Sequence, residues 1–140
     1  INGDEFPAGR MLMDAVARTG TRFLIIDAKY YTARSVDSSP SWPDVVKQLY
    51  YQKAMEALLK DPVSEVQSCF IFPASRLDTP HFDDVQMMYK TGVIESTFPN
   101  IYCYYLNMED VVKAYISRTK LHSLNLWRAA NFWILIRCCL

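Results

Sequence analysis

Two carboxylates and one ammonium group, those of Asp14, Asp27 and Lys29, carry the chemistry that this sequence suggests. Successive side chains of an extended strand alternate faces, so in the run Asp27-Ala28-Lys29 the two charged groups point the same way and Ala28 points opposite. Mg2+ is a hard cation, usually bound through one or two carboxylates with waters and substrate phosphate filling the other positions. Asp14 and Asp27 are the carboxylates for such a site, the backbone carbonyl of Ala28 offers a third oxygen, and Mn2+ is expected to substitute for Mg2+. A cation held there neutralises phosphoryl charge and lowers the pKa of a bound water, as phosphodiester hydrolysis requires. Lys29 then positions or deprotonates the attacking water, or stabilises charge building on the phosphate. An Asp-x-Lys triplet alone is a common solvated strand end. Asp14 makes the difference, because it interrupts the apolar run MLMDAVA, where a charge needs an exposed face or a ligand.

For these groups to meet, the chain must form a hairpin. Arg10 to Arg18 alternate loosely and predict a first strand, Thr19-Gly20 is a turn signal, and Arg22 to Lys29, RFLIIDAK, is the most strand-like run. With Thr19-Gly20 as a two-residue loop, Arg18 pairs with Thr21 and Asp14 lies opposite Ile25. Asp14 is then a diagonal neighbour of Asp27 on the same face, about 7–8 Å away. A slip of one residue would send Asp14 to the other face.

A polar loop from Thr32 to Ser41 leads to Trp42-Pro43-Asp44, which opens a helix: proline suits the first turn and Asp44 the positive end of the dipole. The helix is expected to run to about Lys60, stopped by Asp61-Pro62, with an apolar stripe of Val46, Leu49, Tyr50, Ala54, Ala57 and Leu58. Glu65 to Phe72 predicts a buried strand ending at Pro73, followed by an irregular stretch from Ala74 to Asp84. Val85 to Lys90 and Val93 to Glu95 suggest a short hairpin around Thr91-Gly92, and Ile101 to Leu106 another strand. Asn107 caps a last helix from Met108 to about Thr119. This order predicts an α/β fold, a mixed central sheet flanked by helices.

Composition sets limits on this reading. A chain of 140 residues, 51% of them apolar, suits one domain with a real core. The formal net charge of +0 lacks the basic excess of most stand-alone DNA binders, so nucleic-acid contacts must come from local patches or another domain. Cys69 and Cys103 sit in apolar runs as small buried hydrophobes, while Cys138 and Cys139 are adjacent and offer no zinc spacing. Without a disulfide framework, a reducing cytoplasm fits best. His81 and His122 are isolated, the first read as a loop residue and the second as a helix C-terminal cation. The first residue is Ile1, and the chain is taken as a fragment of a longer polypeptide. Residues 1–122 form the expected core, and 123–140 an apolar tail too short and too polar to span a membrane.

The segment RMLMDAVARTGTRFLIIDAKYY followed by SWPDVVKQLYYQKAMEAL resembles the LlaJI-type restriction endonucleases and, more distantly, McrC-like nucleases of the PD-(D/E)xK superfamily. Those families carry a Pro-Asp pair on one strand, then a DAKYY-like strand, then a helix with a D-x-x-KQ-x-x-Y pattern. Here the elements are Asp14, Asp27-Ala28-Lys29-Tyr30-Tyr31, and Asp44, Lys47, Gln48 and Tyr51. Met13 stands where the family has proline, a position that is not a metal ligand. The similarity covers about Arg10 to Phe72 well and the rest loosely. It implies a restriction-endonuclease-like core in which Gln48 assists catalysis from the helix, orienting the nucleophile or contacting phosphate. Lys47 and Tyr51, four apart on one helical face, are candidate DNA-backbone contacts, as are Tyr31 and Arg34 beside the catalytic strand.

The expected function is therefore Mg2+-dependent hydrolysis of double-stranded DNA, by a type II restriction endonuclease or the nuclease subunit of a related prokaryotic, cytoplasmic system. A homodimer and a GTP-driven motor subunit are the partners left open, and no membrane is involved. A repair or recombination nuclease of the same fold is the alternative within the class. Outside it stands a catalytically idle α/β module that binds a partner through its aromatic surface.

Overall fold

The computed structural model describes residues 12–60, 62–75 and 83–119. The predicted tail 123–140, with Cys138 and Cys139, lies outside them, as do His81 and His122. The elements are β1 (Ala15–Thr19), β2 (Arg22–Ala28), a 3-10 turn at Val36–Ser38, α1 (Trp42–Leu59), β3 (Glu65–Ala74), β4 (Asp84–Val85), β5 (Ile101–Asn107) and α2 (Met108–Ser117). The strands form one five-stranded mixed sheet in the order β1-β2-β3-β5-β4. Its centre, β2-β3-β5, is parallel, and β1 and β4 are antiparallel edges. Parallel neighbours need a crossover, and α1 supplies it between β2 and β3. The predicted α/β fold, consistent with a restriction-endonuclease-like core, is the one observed.

The hairpin forms, but one step along from its predicted position. The strand begins at Ala15 rather than Arg10, and the loop is Gly20-Thr21 rather than Thr19-Gly20, with Thr19 pairing Arg22. Gly20 has φ 58°, a left-handed value that fits glycine at the first central position of a tight hairpin turn. The pairing thus moves by two residues along β2, an even shift that leaves every side chain on its predicted face.

Both sheet faces are apolar at the centre. One face packs Phe70, Phe72, Ile101 and Cys103 against Val45 and Leu49 of α1, with Ala33. The other gathers Ala17, Leu24, Ile26 and Cys69. The buried face of α1 is Val45, Gln48, Leu49 and Gln52, which shares only Leu49 with the predicted stripe. Of that stripe Val46, Tyr50 and Leu58 are exposed. The Gln52 amide donates to the Val66 carbonyl of β3 at 2.7 Å, while its buried Oε1, like that of Gln48, has no hydrogen-bond partner. Capping sets the helix ends: Asp44 accepts from the Ser41 N–H at the start, and Lys60 takes the left-handed conformation, φ 50°, at the end.

β3 runs through Pro73 to Ala74 instead of ending there. The last β2 partner of β3 is Ile71, paired with Ala28. Backbone groups of a strand point alternately to its two neighbours, and the Ile71 carbonyl accepts from Lys29 N. The missing N–H of Pro73 therefore faces the side where β2 has already ended, which a proline tolerates. Thr91-Gly92 does form a turn, closed by Tyr89 N–H to the Val93 carbonyl at 2.8 Å, but its flanks meet in a single Met88–Ile94 bridge rather than a full hairpin. α2 begins where predicted, Asn107 Oδ1 accepting from Glu109 N–H, and ends at Ser117 against β5.

Candidate active site

Asp27 and Lys29 stand at the carboxyl end of β2, where ligands of open α/β sheets bind. Carrying the β1–β2 register one residue beyond Ala15–Ile26 puts Asp14 opposite Asp27, not diagonal to it. Backbone groups of Asp27 point toward β3, so the Asp14–Asp27 position is a non-hydrogen-bonded pair, the closer kind in an antiparallel ladder. The Asp14 carboxylate accepts from Ala28 N–H at 3.2 Å. A strand residue directs its N–H and C=O to the same side, so the Ala28 carbonyl opens on that edge too. Hairpin geometry thus sets Asp14 beside Asp27 and the Ala28 backbone.

Helix α1 adds charge from above the sheet. Lys29 Nζ lies 2.8 Å from Asp27 Oδ2 and 2.6 Å from Asp44 Oδ1, and it also sits over the Phe70 ring, 5.2 Å from the centroid. The contact to Asp27 Oδ2 is a nearly buried ion pair. Lys47 Nζ lies 3.2 Å from the other oxygen, Asp27 Oδ1. Asp44 is itself braced by the backbone N–H and hydroxyl of Ser41. The sequence places Asp44 at the helix start and in the D-x-x-KQ-x-x-Y pattern without a partner; the α1 crossover returns it to the end of β2, beside Lys29.

These contacts set the ionisation. Burial and then the neighbouring Asp27 carboxyl hold Asp14 above the usual carboxylate range, against a smaller opposing effect of the Ala28 N–H. Burial pushes Asp27 up as well, but Lys29, Asp14 and Lys47 outweigh it and hold Asp27 below that range. Burial acts to lower Lys29, yet Asp27 and Asp44 together keep it above its ordinary value, a firm ammonium. Any proton the two aspartates share therefore rests on Asp14. Two touching carboxylates that favour a shared proton are a donor set that a divalent cation suits. Asp14, Asp27 and the Ala28 carbonyl have the oxygen chemistry that such an ion takes; among the described residues there is no group of three or more His, Cys, Asp or Glu placed to hold a metal, here or elsewhere.

Other predicted residues are distributed around this centre. Gln48 is 1% exposed, and its Oε1 has no hydrogen-bond partner. A buried amide oxygen left unpaired is costly in a purely structural role. Lys47 reaches Asp27, whereas Tyr51 donates to the Leu12 carbonyl at 3.0 Å, tying α1 to the segment before β1. Tyr31 is 39% exposed with its ring 5.8 Å from that of Phe72, while Tyr30 is fully outside. Arg34 is exposed in the loop, its N–H donating to Ser38 Oγ.

Comparison with known proteins identifies the family. The LlaJI restriction endonuclease family matches residues 11–119. The type II restriction enzyme BsuMI component YdjA of Bacillus subtilis (strain 168) is 37% identical over 62 residues, 41% of this chain. The chain spans only 13% of that relative's length. No solved structure matches. With most of its length matched, from before Asp14 to beyond α2, the chain belongs to the LlaJI restriction endonuclease family.

Proposed function

We propose that this chain is a Mg2+-dependent endonuclease module of a restriction system, hydrolysing phosphodiester bonds of double-stranded DNA at Asp14, Asp27 and Lys29. The observation that carries the reading is Asp14 facing Asp27 at the carboxyl end of β2, with Lys29 held between Asp27 and Asp44. When bound, Mg2+ or Mn2+ supplies neutralisation of phosphoryl charge and a water of lowered pKa.

The protein's own groups do the rest. Asp14, Asp27 and the Ala28 carbonyl hold the ion. Lys29 stays protonated between two carboxylates, which favours stabilising phosphate charge and orienting water over accepting a proton. Gln48, with an unpaired Oε1, accepts a hydrogen bond from the attacking water and fixes its direction. Tyr31, Arg34 and Lys47 line the approach as backbone contacts. Tyr51 supports the site through the segment before β1 rather than through DNA.

The net charge of +0 favours a DNA grip shared with other chains or domains. The printed description of the Bacillus subtilis relative as one component of a restriction enzyme favours the same view. Two copies, or a motor subunit driven by GTP, are the assemblies that double-strand cutting would use. No described helix is long and apolar enough to cross a membrane, and the cytoplasm of a prokaryote is the setting proposed.

The test is cleavage of supercoiled plasmid with Mg2+ or Mn2+ by the native chain, Asp27→Ala and Lys29→Ala. Metal-dependent cutting lost in both variants is the expected result. Cutting that survives both would remove these residues from the chemistry. Silence of the native chain, alone and with its neighbouring gene products, together with no Mn2+ binding, would leave an idle interaction module.

A further inference from the structure

Asp27 carries two ammonium groups that are not equivalent. Lys29 is confined: its side chain is 9% exposed, it pairs with both Asp27 and Asp44, and it rests over the Phe70 ring. Lys47 is 37% exposed on its side chain, and among the described residues its ion pair is the 3.2 Å contact to Asp27 Oδ1. The Asp27 side chain is 4% exposed, so without Lys47 a buried carboxylate would share Lys29 with Asp44 and keep too little positive charge of its own. A divalent ion between Asp14 and Asp27 must take an Asp27 oxygen, and an ammonium at hydrogen-bond distance from the same oxygen opposes it by like-charge repulsion. One lysine has to yield. Lys29 has a second carboxylate to keep it, whereas Lys47 has solvent on its open side and a flexible four-carbon stem.

We propose that Lys47 is an exchangeable counter-ion: it neutralises Asp27 until the metal arrives, is displaced from Oδ1 by the metal, and then meets a DNA phosphate at the mouth of the site. This rests on the metal-dependent nuclease reading above. Metal and DNA affinities are then linked through one side chain, each strengthening the other.

Calorimetric titration of Mn2+ into the full chain tests the exchange, comparing native protein, Lys47→Met, Lys47→Arg and Asp14→Asn. Lys47→Met should bind Mn2+ about fivefold tighter, the scale of releasing one half-exposed ion pair. Lys47→Arg should stay close to native, and Asp14→Asn should lose binding. Unchanged or weaker binding by folded Lys47→Met overturns the proposal. Should that variant not fold, the native protein decides through lysine reductive methylation read by mass spectrometry. Mg2+ should speed labelling of Lys47 and leave Lys29 protected, and duplex DNA added with Ca2+ should protect Lys47 again. Lys47 labelling unchanged at saturating Mg2+ overturns the displacement, and no protection by DNA overturns the phosphate contact. A native chain that binds no Mn2+ refutes the metal reading itself and the exchange with it.

Discussion

Helices α1 and α2 reverse the usual relation between amphipathic pattern and burial. α2 has a clean apolar stripe of Met108, Val112, Tyr115 and Ile116 at helical spacing, yet all four are exposed. α1 has apolar residues scattered around its circumference, yet it covers the sheet and buries two glutamines. The difference lies in what each helix serves. Burial follows the crossover that must close over β2 and β3, whatever the pattern on its surface. Polar groups on that buried face persist because they bind something: Gln52 the Val66 carbonyl, and Gln48, under the proposed function, the reaction. Ion pairs show the same contrast. Lys29 joins two carboxylates in a nearly buried place, whereas Lys113–Glu109 on α2 is 3.7 Å long and open to solvent, the kind that contributes little.

The contrast can be broken at its strongest point first. Asp27→Asn or Lys29→Met should lower metal-dependent cleavage by about 10³-fold, the scale of removing a preorganised charge-stabilising group, while Glu109→Gln on α2 should leave the rate alone; plasmid-nicking rates decide. Core packing comes next. Leu49→Ala on α1 should cost about 2–5 kcal/mol in urea unfolding, against less than about 0.5 kcal/mol for Ile116→Ser on α2. A large loss at Ile116 would mean that α2 is covered in the working protein.

The two buried glutamines sharpen the comparison within α1. Gln48→Leu removes an unpaired buried oxygen and should stabilise the fold by about 1 kcal/mol while slowing cleavage about tenfold or more. Gln52→Leu removes an unpaired buried oxygen too, but it also strips the Val66 carbonyl of its 2.7 Å donor, so it should gain no stability and should spare the rate. Gln48→Leu with native rate would reduce Gln48 to packing.

The smallest expected effect is on acid stability. Lys29 partners hold Asp27 and Asp44 below the usual carboxylate range in the fold, despite the opposing push of burial. Groups with depressed folded pKa values stabilise above the unfolded value, about pH 4, and that contribution is lost as pH falls through and below it. Asp14 is shifted the other way and offsets part of this slope. Melting temperature should therefore drop below about pH 4 in the native chain, and Lys29→Met should flatten that limb.

Much of the centre was legible in sequence because strand alternation is a local rule. Asp27 and Lys29 had to share a face, and the hairpin had to bring Asp14 to it by an even register. The succession of the main elements along the chain, the class of fold and the cap at Asn107 followed from patterns equally local, whereas the order of strands in the sheet did not. The exact partner of Asp14 did not, because moving the tight turn from Thr19-Gly20 to Gly20-Thr21 shifts the pairing by two while leaving the apolar faces matched.

The residues themselves pointed to the groups proposed to do the chemistry: an aspartate inside an apolar run, a DAK strand end, and a helix that starts with proline and aspartate. Only the tertiary structure decided how those groups are paired. Asp44 and Lys47 lie on a helix that the crossover folds back over β2, so their contacts with Lys29 and Asp27 are 15 and 20 residues apart in sequence. No local spacing encodes a distance across the chain; closure of the sheet under α1 brings those charges together, and burial there makes each partner matter.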